Sequence, residues 1–110
     1  MNPVREDYED LVAECERNLD TVNYAAEQMH GCVWGRSYDY RRDRLEAALE
    51  WYRISVEKLV AFQREQEKDP QLDSYDFEHL TRLCVSHRDT LRNMNTRMRP
   101  LLSHGRGSPA

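Results

Sequence analysis

The sequence predicts an all-α protein, an up-down-up bundle of three long helices. Three observations carry this expectation. Apolar residues recur every three or four positions along three successive segments. The four Gly and four Pro of the 110 residues fall at or near the ends of those segments. No run alternates apolar and polar residues for long enough to make a strand, and no hairpin dipeptide such as Asn-Gly occurs.

The first segment offers Asn2 as N-cap and Pro3 at the first helical position, where its missing N–H costs nothing. Its apolar stripe is Tyr8, Leu11, Cys15, Leu19, Val22, Ala26 and Met29. Gly31 supplies a stop, and 31–36 reads as a loop. The second segment opens at Ser37, carries Leu45, Leu49, Tyr52, Val56 and Leu59 on one stripe with a near-heptad period, and ends at Asp69-Pro70. The third begins at Asp73 or Ser74 and places Phe77, Leu80, Cys84, His87, Leu91, Met94, Met98 and Leu101 in the same rhythm, with Pro100 marking its end or a kink. Helices of roughly 26 to 30 residues are about 40 to 45 Å long and pack side by side through short loops. The expected organisation is one domain over 1–102 followed by a disordered tail over 103–110, which has nothing to bury.

Composition narrows the class. Hydrophobic residues make up 39% and charged residues 33%, a balance suited to amphipathic helices. The longest apolar run, Leu59 to Phe62, is far short of a membrane span, and the acidic start from Arg5 to Asp10 is unlike a targeting peptide. Three cysteines without CxxC spacing argue against a disulfide framework or a zinc ribbon and point to a reducing, cytoplasmic location. A net charge of -4, with no aromatic platform or reading motif beside the basic residues, points away from nucleic acid.

The length, the three heptad-patterned segments and the run Arg44-Leu45-Glu46-Ala47-Ala48-Leu49-Glu50-Trp51-Tyr52 resemble a spectrin-type triple-helical repeat. Such repeats carry a core Trp; the resemblance puts Tyr52 in that role here, one position from Trp51. The pattern Ala48-Leu49-x-x-Tyr52-x-x-Ser55-Val56-Glu57-x-Leu59 is also similar to the middle helix of the three-helix MIT domains, which bind short helical tails of membrane-remodelling proteins. Both resemblances imply a bundle that binds proteins.

Residues able to do chemistry are few. Glu27-x-x-His30 and Asp76-x-x-His79 have the spacing that places two metal ligands on one helical face. In an up-down-up bundle, however, they lie at opposite poles, roughly 40 Å apart. His87 falls on a core stripe with no nucleophile or carboxylate at local spacing, so a hydrogen-bonded core histidine is expected. Cys15 and Cys84 also lie on core stripes, where thiols act as small hydrophobes; Cys32, beside a Gly, is the candidate reactive thiol. With no phosphate-cradling loop and no GxSxG, the expectation is no catalytic, metal or cofactor site.

Two surfaces stand out. Acids gather at one pole, at the start of the first helix, the end of the second and the start of the third. Arg36, Arg41, Arg42 and Arg44, with Arg97, Arg99 and Arg106, gather at the other. Macrodipole matching accounts for acids at helix starts but not for an arginine-rich start to the second helix, so this pole is a candidate site for an anionic partner or phospholipid headgroup. On the second helix, Ala47, Trp51 and Ile54 fall outside the core stripe, at the i, i+4, i+7 spacing by which one helix receives another. The expected function is therefore a non-enzymatic protein-interaction module, a scaffold or adaptor, whose partner is a helical protein or a second copy of itself.

Overall fold

A computed structural model describes residues 3–30 and 36–103, and those residues form three helices: α1 (Pro3–Met29), α2 (Arg36–Lys68) and α3 (Ser74–Ser103). The proposed N-cap Asn2, the loop residues 31–35 with Cys32 and Trp34, and the tail residues 104–110 with Arg106 lie outside the described residues. The expected all-α, antiparallel three-helix bundle is what the chain forms. It is a rod with extents of 56 × 22 × 17 Å, close to what helices of this length give when laid side by side. No described helix is long and apolar enough to cross a membrane.

α2 is the shared element. Both neighbours pack along it, whereas α1 and α3 meet each other little. Leu45, Tyr52 and Leu59, seven residues apart, have no exposed surface, and Ala48, Leu49 and Val56 widen the same stripe. Each fully buried Leu contributes on the order of 1.5 to 3 kcal/mol relative to an exposed one. Against this stripe α1 sets Tyr8, Cys15, Val22, Ala26 and Met29, and α3 sets Leu80, Cys84, His87, Met94 and Met98. Small buried residues, Ala48 and Ser55 on α2 and Ala25 and Cys15 on α1, permit close packing of the two helices. The Ser55 hydroxyl, fully buried, donates to the Tyr52 carbonyl at 2.7 Å and also hydrogen-bonds the Cys15 thiol.

Two tyrosine–histidine pairs fasten α3 to the rest. In the middle of the rod the Tyr52 hydroxyl lies 2.7 Å from His87 Nδ1, with the rings edge to face at 5.8 Å. At the acidic pole the Tyr8 hydroxyl lies 2.6 Å from His79 Nδ1, again edge to face, at 6.4 Å. Near that second pair, Arg5 approaches Asp76 at 3.9 Å. At the opposite pole the Tyr38 hydroxyl donates to the Leu101 carbonyl at 2.7 Å and secures the last turn of α3. That helix runs past Pro100 to Ser103, one residue into the segment expected to be tail.

The α2–α3 corner is tied from within. Gln66 is buried, and its Oε1 accepts from the Gln71 and Leu72 amides at 2.8 and 3.1 Å. Asp73 then caps α3, its Oδ1 accepting from the Asp76 amide at 2.7 Å. Further along, Gln63 Nε2 donates to Thr81 Oγ1, and the Cys84 thiol points at the Leu59 carbonyl.

Candidate protein interface

The residues with chemical potential are occupied by packing. Burial pushes the Cys84 thiol up to about 11 and raises Cys15 as well, so both stay protonated at neutral pH and behave as apolar groups. His87 is held below the ordinary imidazole range by burial, which Glu16 only partly opposes, and it is engaged by Tyr52. The Tyr52 phenol is pushed up to about 12, chiefly by burial. His79 is tied to Tyr8, and buried Asp76 sits at the capped start of α3. Glu27 and His30 close the end of α1, where the His30 amide bonds the Glu27 carbonyl at 3.1 Å. Among the described residues no group of three His, Cys, Asp or Glu side chains is placed to hold a metal ion.

The arginine cluster divides into two kinds. Arg41 is half-buried and donates to the Gln28 carbonyl at 2.7 Å, so it satisfies an orphan carbonyl at the end of α1. Arg42 is buried, with Asp39 and Asp43 each 3.3 Å away. These two account structurally for part of the basic start of α2. Arg44, Arg97 and Arg99 are exposed. Arg44 lies over the Tyr40 ring, 5.8 Å from its centroid. Arg36 begins α2.

The outward side of α2 carries the other predicted residues. Trp51 is 61% exposed, Ala47 is exposed and Ile54 is half-buried. Ala47 borders a groove toward α3. Trp51 lies toward α1, because its backbone carbonyl accepts from Asn18 Nδ2 at 3.3 Å. Two turns further on, Lys58 pairs with Glu14 at 3.1 Å, and in the other direction Arg41 meets Gln28. These three contacts set the antiparallel register of α1 on α2.

That register brings up two residues the sequence reading did not single out. Tyr40, 63% exposed, precedes Trp51 by eleven positions and so lies on the same stripe of α2, through Arg44 and Ala47. Tyr24 of α1, 57% exposed, lines one cleft with Tyr40, Ala25, Gln28, Arg41 and Arg44 and falls between Tyr40 and Trp51 along the rod. Helical spacing held the signal for Tyr40. Tyr24 required the pairing of two helices. The remaining large exposed apolar side chains among the described residues, Tyr75 and Val85, belong to α3.

Comparison with protein-family models, with curated proteins and with solved structures finds no match to this chain.

Proposed function

We propose that the chain is a non-enzymatic protein-interaction module, a scaffold or adaptor that receives a helical partner on the outer α1–α2 face, with Ala47, Trp51 and Ile54 at the centre and Tyr24 and Tyr40 beside them. One observation carries the reading: three of the large aromatic rings left in water share this face, and the one near the middle of α2 is a tryptophan. Tryptophan and tyrosine are enriched among residues that dominate binding energy, and a row of apolar positions at i, i+4, i+7 is the footprint of helix-in-groove recognition. The resemblances to a spectrin-type repeat and to the middle MIT helix support the same reading. So does the use of His87, Cys15 and Cys84 in packing rather than at a cleft. The cysteines, free and protonated, fit the reducing, cytoplasmic setting that this reading includes.

Changing Trp51 to Glu should remove association, costing at least about 2 kcal/mol of binding. The thermal midpoint should stay nearly unchanged, because the ring contributes little to the core. Binding measured by sedimentation or calorimetry, beside a melting curve of the same variant, checks both halves. A variant that unfolds assigns Trp51 to the core, and one that stays folded and keeps its partner removes the face.

A second reading, an anionic partner at the arginine pole, is favoured by the exposure of Arg97 and Arg99 at the end of α3 close to the start of α2. Charge reversal at Arg97 and Arg99 is its probe, since Arg41 and Arg42 also hold the fold.

A further inference from the structure

The outer face of α2 is electrically divided. Asp43, Glu46 and Glu50 line the groove on its α3 side. On the α1 side the stripe Tyr40, Arg44, Ala47, Trp51, Ile54 and Lys58 contains cations and no acid. The facing stripe of α1, from Glu14 through Arg17, Asn18, Thr21 and Tyr24 to Gln28, adds one acid, and that acid is paired with Lys58. Between that pair and the arginine pole the seam between these two stripes carries Arg17, Arg41 and Arg44, and the cleft of Tyr24 and Tyr40 is lined by the last two with no acid. Acids return beyond Ala47 on the α3 side, at Asp43 and Glu50, and beyond Tyr24 on α1, at Asp20 and Glu27. In a chain of net charge -4 this is a local reversal of sign.

Arg44 is the best-placed of the three. Its guanidinium lies over the Tyr40 ring at 5.8 Å, an attraction that holds the group in place while leaving its N–H edge for a second partner. It has no carboxylate partner among the described residues, and neither has Arg17. Beside it the cleft of about 160 Å³ between Tyr24 and Tyr40 has room for a short side chain but not for a globular surface. A planar guanidinium edge next to a shallow aromatic cleft matches a carboxylate, which it can bind through two parallel hydrogen bonds.

We propose, building on the interaction-module reading, that the occupant of this face is an acidic amphipathic helix from a different protein, whose apolar side chains lie on Trp51 and Ile54 and whose Asp or Glu meets Arg44 beside Tyr40. The span fits one such helix: eighteen residues separate Tyr40 from Lys58, about 27 Å of helix, or five turns. Charge also sets aside a second copy at this site. A two-fold pairing centred on Trp51 brings each Arg44 toward the other copy's Lys58, whose only nearby acid, Glu14, is already paired with it, so a second copy offers Arg44 no unpaired carboxylate.

The test uses a displayed library of amphipathic helical peptides about 20 residues long, enough to cover about 30 Å. Their apolar stripe is fixed and the flanking positions vary among Glu, Lys, Gln and Ser. Selected against the full chain, the enriched peptides should carry Glu in the flanks, weaken steeply with added salt, and lose at least about tenfold in affinity on Arg44→Glu. Replacing the selected Glu by Arg should restore binding to that variant. Enrichment of neutral or basic flanks, indifference to Arg44→Glu, or no enrichment overturns the proposal. So does a dimer in solution that Trp51→Glu dissolves. Peptides that are neutral but depend on Trp51 leave the interaction module standing and remove only the acidic partner. Peptides indifferent to Trp51→Glu remove both.

Discussion

The two tyrosine–histidine pairs are nearly the same interaction placed in two different media. Each joins a phenol hydroxyl to a histidine Nδ1 at 2.6 to 2.7 Å with the rings edge to face, and each ties α3 to a neighbour. Tyr52 and His87 are both buried, whereas His79 at the acidic pole is exposed. Burial raises the Tyr52 phenol to about 12 and lowers His87, so the central pair is held in its neutral form and neither member has an alternative partner in solvent. Geometry alone thus says little about what a hydrogen bond contributes. The cost of losing it depends on whether water can take the vacant place.

The largest effect should come from Tyr52→Ala, which removes a fully buried ring and leaves His87 unpaired; the expected loss is about 3 to 5 kcal/mol in urea unfolding. Tyr52→Phe keeps the packing and isolates the hydrogen bond, and should cost about 1 to 3 kcal/mol because a buried imidazole nitrogen loses its partner. Equal stability of Tyr52→Phe and wild type would erase the contrast between the pairs.

An intermediate effect should appear on acidification. Above the ordinary imidazole pKa of about 6.5 the ring is neutral in both folded and unfolded chains and contributes no pH dependence. Because folding lowers the His87 pKa, the unfolded chain takes up its proton first as pH falls. Stability should therefore decline below that point and level off once the folded form also protonates. Burial sets this balance, with Glu16 of α1 opposing it, and Tyr52 of α2 is the hydrogen-bond partner the ring keeps. Denaturant midpoints collected between pH 7 and pH 5 should show a shallower decline for His87→Gln than for wild type.

The smallest effect belongs to the polar pair. Tyr8→Phe should cost no more than about 0.5 to 1.5 kcal/mol, because water can reach exposed His79 and replace the lost partner. A larger loss in the same urea series would show that the acidic pole is held as tightly as the centre.

The fold was legible because each helix announces its buried face by period. Leu45, Leu49, Tyr52, Val56 and Leu59, all expected in the core, are all buried. Residues whose burial depends on the neighbouring helix were less visible. Ser55 is polar yet fully buried because its hydroxyl is satisfied one turn back on its own helix. Gln66 is buried because it serves two turn amides, and Arg42 because two aspartates surround it. Leu91 shows the opposite case. It lies on the α3 stripe but stays half-buried, since it lines an open groove with Arg53, Val60 and Arg88. Within the candidate face, spacing indicated Ala47, Trp51 and Ile54. The cleft formed by Tyr24 and Arg44 required two chain segments in register, which no single-helix period contains.

The clasp made by Gln66 has a consequence for how the chain reaches this structure. A corner whose amides are bonded by a side chain only five and six residues upstream is closed by local contacts, so bringing α2 and α3 together carries little loop-closure entropy. Topologies dominated by such near-neighbour contacts fold fast, on the microsecond to millisecond scale for helical bundles. The α2–α3 corner can therefore close early and at low entropic cost.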